Sequence, residues 1–216
     1  MYTPPHFRED RLPVLHHIID QAGLATLVTV GGAGLAASHV PVLLDPTDGP
    51  FGTLHGHLSR ANPQRSGADP AVPALLIFTG PDAYITPSWY ATKAQTGKVV
   101  PTWNYRAVHA HGHVQWFDDR AHLLALVTGL TEKHEARRGE PWAVSDAPQD
   151  YIEAQLKGIV GFKLTISRLE GQSKMSQNKT ADDQAGVIEG LKKDGAPSPA
   201  AVADLMLEHI QTIPGH

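Results

Sequence analysis

Pro101-Thr102-Trp103-Asn104-Tyr105 sets two aromatic rings and a carboxamide just ahead of an alternating His109-x-His111-x-His113 run. Stacking surface, amide hydrogen bonding and titratable nitrogens together suit a flat ligand with a polar edge. The three imidazoles are also of a type that metals take. Same-face neighbours on a strand stand about 6.6 Å apart, so two can reach one ion, whereas three in a row are poorly placed for it. With no acidic partner identifiable from the spacing, no metal is expected, and the histidines are placed on the surface or in a subunit contact.

Three further segments carry donor groups. In Ala37-Ser38-His39-Val40-Pro41, strand alternation turns Ser38 and Val40 one way and His39 the other; a strand with a polar outer face has the same pattern. In His55-Gly56-His57-Leu58-Ser59-Arg60-Ala61-Asn62-Pro63, Gly56 admits close approach of a backbone or ligand. Ser59 can cap a turn there, and Arg60 offers a planar fork that fits phosphate, or is simply a surface arginine. The run from Leu169 to Lys179 is almost free of apolar residues, and it holds Lys174 as a point charge with Gln177 and Asn178 as paired donors and acceptors. Aromatic residues are only 6% of the chain, yet Tyr84, Trp89, Tyr90, Trp103 and Tyr105 fall within one short region. That clustering fits a ligand wall, a subunit contact or a small local core.

These groups need a scaffold, and the apolar periodicity supplies one. A helix is expected from Phe7 to Ala22, starting near Asp10 if Pro13 is to fit its first turn. Strands are expected over Leu24–Val30, Leu35–Leu44, Phe51–His57, Val72–Thr79, Ala83–Thr86, Tyr105–Phe117 and Ile159–Leu169, the first two forming a hairpin around Gly31-Gly32-Ala33-Gly34. Asp118 can cap a helix from Arg120 to about Ala136, and shorter helices follow over Asp146–Leu156, Asp182–Leu191 and Pro199–Ile210. The strands do not alternate with helices in the rhythm of a doubly wound sheet, and no glycine-rich phosphate loop follows a strand. A mainly β, antiparallel barrel with appended helices is therefore expected.

Composition narrows the function. With 216 residues, 41% hydrophobic and 19% charged, the chain can bury a proper core. It has no cysteine, which excludes disulfides and thiol chemistry. A formal charge of -4 argues against a broad DNA-binding face. No apolar run reaches membrane-spanning length and the N-terminus lacks the marks of a signal peptide, so a cytoplasmic location is expected.

Taken together, these segments resemble the PaiB family of FMN-binding negative transcriptional regulators. The resemblance rests on Met1-Tyr2-Thr3-Pro4 through Phe7, Ala37 to Pro41, His57 to Pro63, Tyr84-Ile85-Thr86-Pro87-Ser88-Trp89-Tyr90, Val100 to Tyr105, and Leu169-Glu170-Gly171 with Lys174-Met175-Ser176-Gln177-Asn178. It spans the chain from its first residue to about Leu191. Gln172 stands where the family usually has lysine, and Met175 where leucine is common. The resemblance implies a split β-barrel with an N-terminal helix and inserted helices over residues 1–170, a C-terminal loop and helical tail over 171–216, and a homodimer with FMN at its interface. Arg60 and Lys174 would hold the phosphate. Ser38, His39, His57, Asn62, Trp103, Asn104, Tyr105, Ser176, Gln177 and Asn178 would complete the pocket, with His109 the histidine nearest the cofactor. Two other functions use such scaffolds: a flavin-dependent reductase or oxidase, and a haem-binding or haem-degrading protein. Direct DNA binding follows from the regulatory name alone.

Overall fold

Pro41 divides what the periodicity reads as one strand. A computed structural model, which describes residues 1–212, places β2 (Ala25–Gly31) and β3 (Gly34–Val40) in an antiparallel hairpin, Ala25 facing Val40. Proline cannot extend the ladder, and past it the chain enters β4 (Val42–Asp45), which belongs to a different sheet. The expected single strand Leu35–Leu44 is therefore two.

The structure divides into two compact units that share the chain in alternating segments. The first comprises residues 1–18, 79–108 and from 170 onward; the second comprises 19–78 and 109–169. In the second unit, β2 also pairs with the first half of β6 (Ala74–Ile85), Thr26 facing Ile77. A four-stranded antiparallel sheet runs β4-β5-β9-β8, with β5 at Thr53–Ser59, β8 at Val114–Phe117 and β9 at Ile159–Thr165. Leu54, Leu58, Val160, Phe162 and Leu164 are buried in it. Gly56 faces Phe162, and a Cβ there would lie 2.5 Å from the Phe162 ring and 2.8 Å from the Pro41 carbonyl oxygen, so the close approach expected at this glycine is made by a backbone, as well as by a side chain, of the protein. The helix α4 (Arg120–Glu135) contacts β4 and β9, and with α5 (Gln149–Lys157) it buries Leu123, Ile152 and Leu156 in a separate cluster. A four-residue helix, α2 (Gln64–Gly67), follows the β5 turn.

In the first unit the strand order is β1-β10-β7-β6. The strand β1 (Arg8–Glu9) pairs with β10 (Arg168–Lys174), while β7 spans Thr102–Gly112. A core of Ile85, Tyr90, Met175, Val187, Leu191, Val202 and Met206 is closed by α6 (Ala181–Asp194) and α7 (Pro197–Thr212). The short α3 (Thr92–Thr96) is tied to α6, because Thr92 donates to Asp183 from both its amide and its hydroxyl at 2.9 Å.

Other boundaries also move. The helix α1 is Leu12–Gln21, preceded by a 3-10 turn at Pro5–Phe7 and by β1; the Glu9 carboxylate accepts from the Arg11 amide. Asp119, not Asp118, caps α4, accepting from the His122 amide. The expected strands Val72–Thr79 and Ala83–Thr86 are one continuous β6 that runs through Pro81. The long strand Tyr105–Phe117 breaks between Gly112 and Val114. The polar run after Leu169 is not a loop as far as Lys174 but β10 itself. The sheets are antiparallel as expected and the fold is of the split-barrel type, but the sheets do not close into a barrel, and helix (39%) slightly exceeds strand (33%).

Candidate functional site

Strand alternation on β7 turns Trp103 and Tyr105 away from Asn104. Asn104 is 0% exposed, and both ends of its amide are taken. Its Nδ2 donates to Ser176 Oγ at 3.0 Å and lies 3.5 Å from Met206 Sδ, and the Ser176 hydroxyl donates back to Oδ1 at 3.1 Å. Ser176 has φ +59°, the left-handed region that a non-glycine residue enters at a cost of about 1 kcal/mol. Asn104 thus holds a strained turn in place. Gln177 braces the same turn, accepting from the Met175 amide and donating to the Ser173 carbonyl, both at 2.6 Å. Asn178 is exposed beyond it.

This turn presents two cations. The Lys174 ammonium donates to Thr102 Oγ1 and lies 5.8 Å from the Phe7 ring centre. Lys179 lies 4.9 Å from the centre of the Tyr90 ring. Neither forms an ion pair with a carboxylate among the described residues. Burial pushes the Lys174 pKa down, and the Lys179 charge pushes it the same way. Beside Thr102, Trp103 is 52% exposed and meets the 49% exposed Tyr84 edge-to-face at 5.8 Å. The Tyr90 hydroxyl, by contrast, is buried with no hydrogen-bond partner among the described residues, and burial raises its pKa. Gln172 is also buried, its Oε1 without a hydrogen-bond partner among the described residues.

The second unit assembles the other nominated residues. Asn62 Nδ2 donates to Ser38 Oγ at 2.8 Å, and its Oδ1 accepts from the Gln64 amide at 2.9 Å. Gln64, which carried no sequence signal, is buried and donates to the Leu27 carbonyl and the Thr29 hydroxyl. The turn after β5 is thereby fastened to β2 and β3. His39 is exposed, its Nδ1 3.1 Å from Thr26 Oγ1. His57 is half-buried with an Nδ1 that finds no hydrogen-bond partner among the described residues, and burial lowers its pKa. Arg60 is committed: Nε donates to the Lys157 carbonyl at 2.9 Å, and Nη1 meets Asp118 at 3.2 Å. His109 and His111 meet edge-to-face at 6.5 Å, with Arg168 Nη2 3.1 Å from His111 Nδ1, and His113 reaches the Pro70 carbonyl.

Within the first unit, then, Asn104, Lys174, Ser176 and Gln177 are brought to one turn, while Trp103 joins Tyr84. In the second, Ser38 and Asn62 are bonded, and His39, His57 and Arg60 each have other surroundings. Thr102 and Lys179 belong to the first-unit cluster and were not nominated, whereas Tyr84 was in the aromatic clustering read as a ligand wall, a subunit contact or a small local core. The signal available for Lys179 was its position directly after the Ser-Gln-Asn run.

Residues 1–168 match the family model described as "Putative FMN-binding domain". The chain belongs to this FMN-binding family. It is 31% identical to the "Protease synthase and sporulation protein PAI 2" of Bacillus subtilis, over 98% of this chain and 99% of that protein. It is 36% identical to an uncharacterized protein of Aspergillus fumigatus, over 96% of this chain and 97% of the relative. Among solved structures, the "FAD and Heme binding protein" of Mycobacterium smegmatis superposes with a TM-score of 0.54 at 18% identity, covering 82% of this chain and 78% of its own. The PaiB kinship expected from the motifs is thus shown, and so is the split-barrel type of fold. No helix among the described residues is long and apolar enough to cross a membrane.

Proposed function

We propose that the protein binds FMN with Lys174 as its principal phosphate ligand and the exposed Trp103–Tyr84 pair as a wall for the ring system. The observation that carries this reading is the Lys174 ammonium, partly desolvated, close enough to Lys179 to feel its charge, and without a carboxylate. An oxyanion would relieve both the desolvation and the like-charge repulsion. The donor set fits the group: ammonium and hydroxyl for the phosphate, aromatic faces for the isoalloxazine. Bound flavin would supply one- and two-electron redox chemistry. The protein's own contribution is to orient it: Asn104 fixes the Ser176 turn, Gln177 closes it, and Thr102 positions the ammonium.

The working form we propose is a homodimer. Val30 and Leu35 leave apolar surface on the β2–β3 hairpin, Leu35 at 77% exposure, and among the described residues β3 pairs only with β2. A regulatory role is supported by kinship with PAI 2 alone; the charge of -4 favours a ligand-responsive protein over one that grips DNA by itself. The second reading, haem binding, is favoured by the half-buried His109–His111 ring pair and by the haem-binding neighbour.

One spectrum separates the readings. Freshly purified protein, or protein titrated with FMN, is expected to show flavin absorbance and a Kd at or below about 10 μM. A Soret band with no flavin uptake would replace this reading with the second. NADPH oxidation by the FMN-loaded protein would add an oxidoreductase activity.

A further inference from the structure

The second unit contains a cleft that none of the residues nominated for flavin lines. It lies where α4 crosses the four-stranded sheet and has a volume of about 580 Å³, within the range of small-molecule sites. Leu43, Trp116 and Phe117 form its apolar wall. Two of these are held in place. Trp116 meets Phe162 edge-to-face at 6.0 Å. The Phe117 ring fills the space over Gly161, where a Cβ would lie 2.3 Å from it.

Five polar side chains also line it: Gln115 on β8, His122 on α4, whose Nδ1 already meets Asp119 Oδ2 at 2.6 Å, and Asp45, His55 and Lys163. The last three come from β4, β5 and β9, and the register sets His55 opposite both Leu43 and Lys163. Each has capacity to spare. Both Thr47 donors, amide and hydroxyl, fall on Asp45 Oδ1, which leaves Oδ2 outside that pair of bonds. Lys163 pairs with Asp48 Oδ2 at 2.9 Å, which uses one of its three N–H groups. His55 is half-buried and makes no hydrogen bond to a described residue; burial lowers its pKa and the Lys163 charge lowers it further, which favours the uncharged ring with one donor and one acceptor.

Asp45 and Lys163 offer opposite charges beside the His55 imidazole and an aromatic wall, with Asp48 bonded to Lys163 and Asp119 to His122. A simple anion would meet Asp45, and a simple cation would meet Lys163. A ligand carrying both charges on a short backbone satisfies both groups. We propose that this cleft binds a small zwitterion with an aromatic or large apolar body, of the amino-acid class. Its ammonium would face Asp45, its carboxylate would face Lys163 and His55, and its side chain would lie against Leu43, Trp116 and Phe117.

The test is calorimetric titration of the intact protein with L-phenylalanine, 3-phenylpropionate and phenethylamine, with the Trp indole N–H signals followed by NMR. The proposal expects L-phenylalanine to bind and to shift one indole signal. It expects each truncated ligand to bind at least about tenfold more weakly, since each lacks one charge-assisted contact. Lys163→Gln and Asp45→Asn are each expected to weaken L-phenylalanine by about tenfold while leaving FMN binding unchanged. Equal binding of all three ligands would show an apolar groove and overturn the assignment, as would no binding of L-phenylalanine at about 5 mM. Because the ligand series runs on the unaltered chain, a variant that fails to fold does not shield the proposal. FMN binding measured on the same samples reports on the flavin site separately.

Discussion

Arg60 in the second unit donates from Nε to the Lys157 carbonyl and from Nη1 to Asp118, while Lys174 in the first finds the Thr102 hydroxyl and no carboxylate. Both cations look equally suited to a phosphate in the sequence. Arg60 follows a strand-end serine, and Lys174 precedes a Ser-Gln-Asn run. Their surroundings differ in what they leave unsatisfied. Arg60 is balanced by an exposed acid and stitches β5 to the end of α5. Lys174 is left as a partly desolvated charge with a like charge nearby. Of these two, Arg60 is spent first on the fold, and Lys174, with no carboxylate among the described residues, is the better candidate for an anionic ligand.

The comparison breaks most sharply at the amides beneath the two turns. Asn104 is buried with Ser176 as its partner, and Asn62 is half-buried with Ser38. Asn104→Ala leaves a buried hydroxyl unpaired under a strained turn and is expected to cost about 3 kcal/mol in urea unfolding. Asn62→Ala, nearer water, is expected to cost about 1 kcal/mol. Equal losses would mean that the two turns are anchored alike. The next effect is on ligand binding. Lys174→Met is expected to weaken FMN about 30-fold, and Arg60→Met less than about threefold, read by fluorescence quenching of the flavin. The reverse order would move the phosphate contact to Arg60. The smallest effect concerns pH. Burial holds the His57 pKa below 6.5 in the folded protein, so below that pH the unfolded chain takes up the proton more readily. Stability is therefore full above about pH 6.5 and falls as the pH drops from there towards the folded pKa. His57→Leu should flatten part of that slope in denaturation series. His55 and His209, also lowered by burial, act in the same direction.

Much of the fold was legible because burial on one face writes itself into alternation. Val160, Phe162, Leu164 and Ile166 read as one face of a strand and are all buried. The hairpin at Gly31–Gly34, the helix from Arg120 and the two tail helices were readable from turn and cap residues. Strand continuity was not. Pro41 ends a strand, whereas Pro81 sits inside β6, because what matters is whether a neighbour needs that N–H. The run Gly171-Gln172-Ser173 looked like a solvated loop because it is polar. It is a buried strand, with Gly171 and Gln172 paired to β1.

The sequence by itself determined the family, the antiparallel scaffold and the residue types that could meet a flavin. These depend on local pattern and on the order of motifs along the chain. Only the tertiary structure decided which of those residues are spent on the protein itself. Asn104 is closed off by Ser176 and Met206, 72 and 102 residues away, and Arg60 by Asp118 and Lys157, 58 and 97 residues away. Whether a side chain remains free for a ligand depends on partners that lie far along the chain, and local pattern carries no record of them.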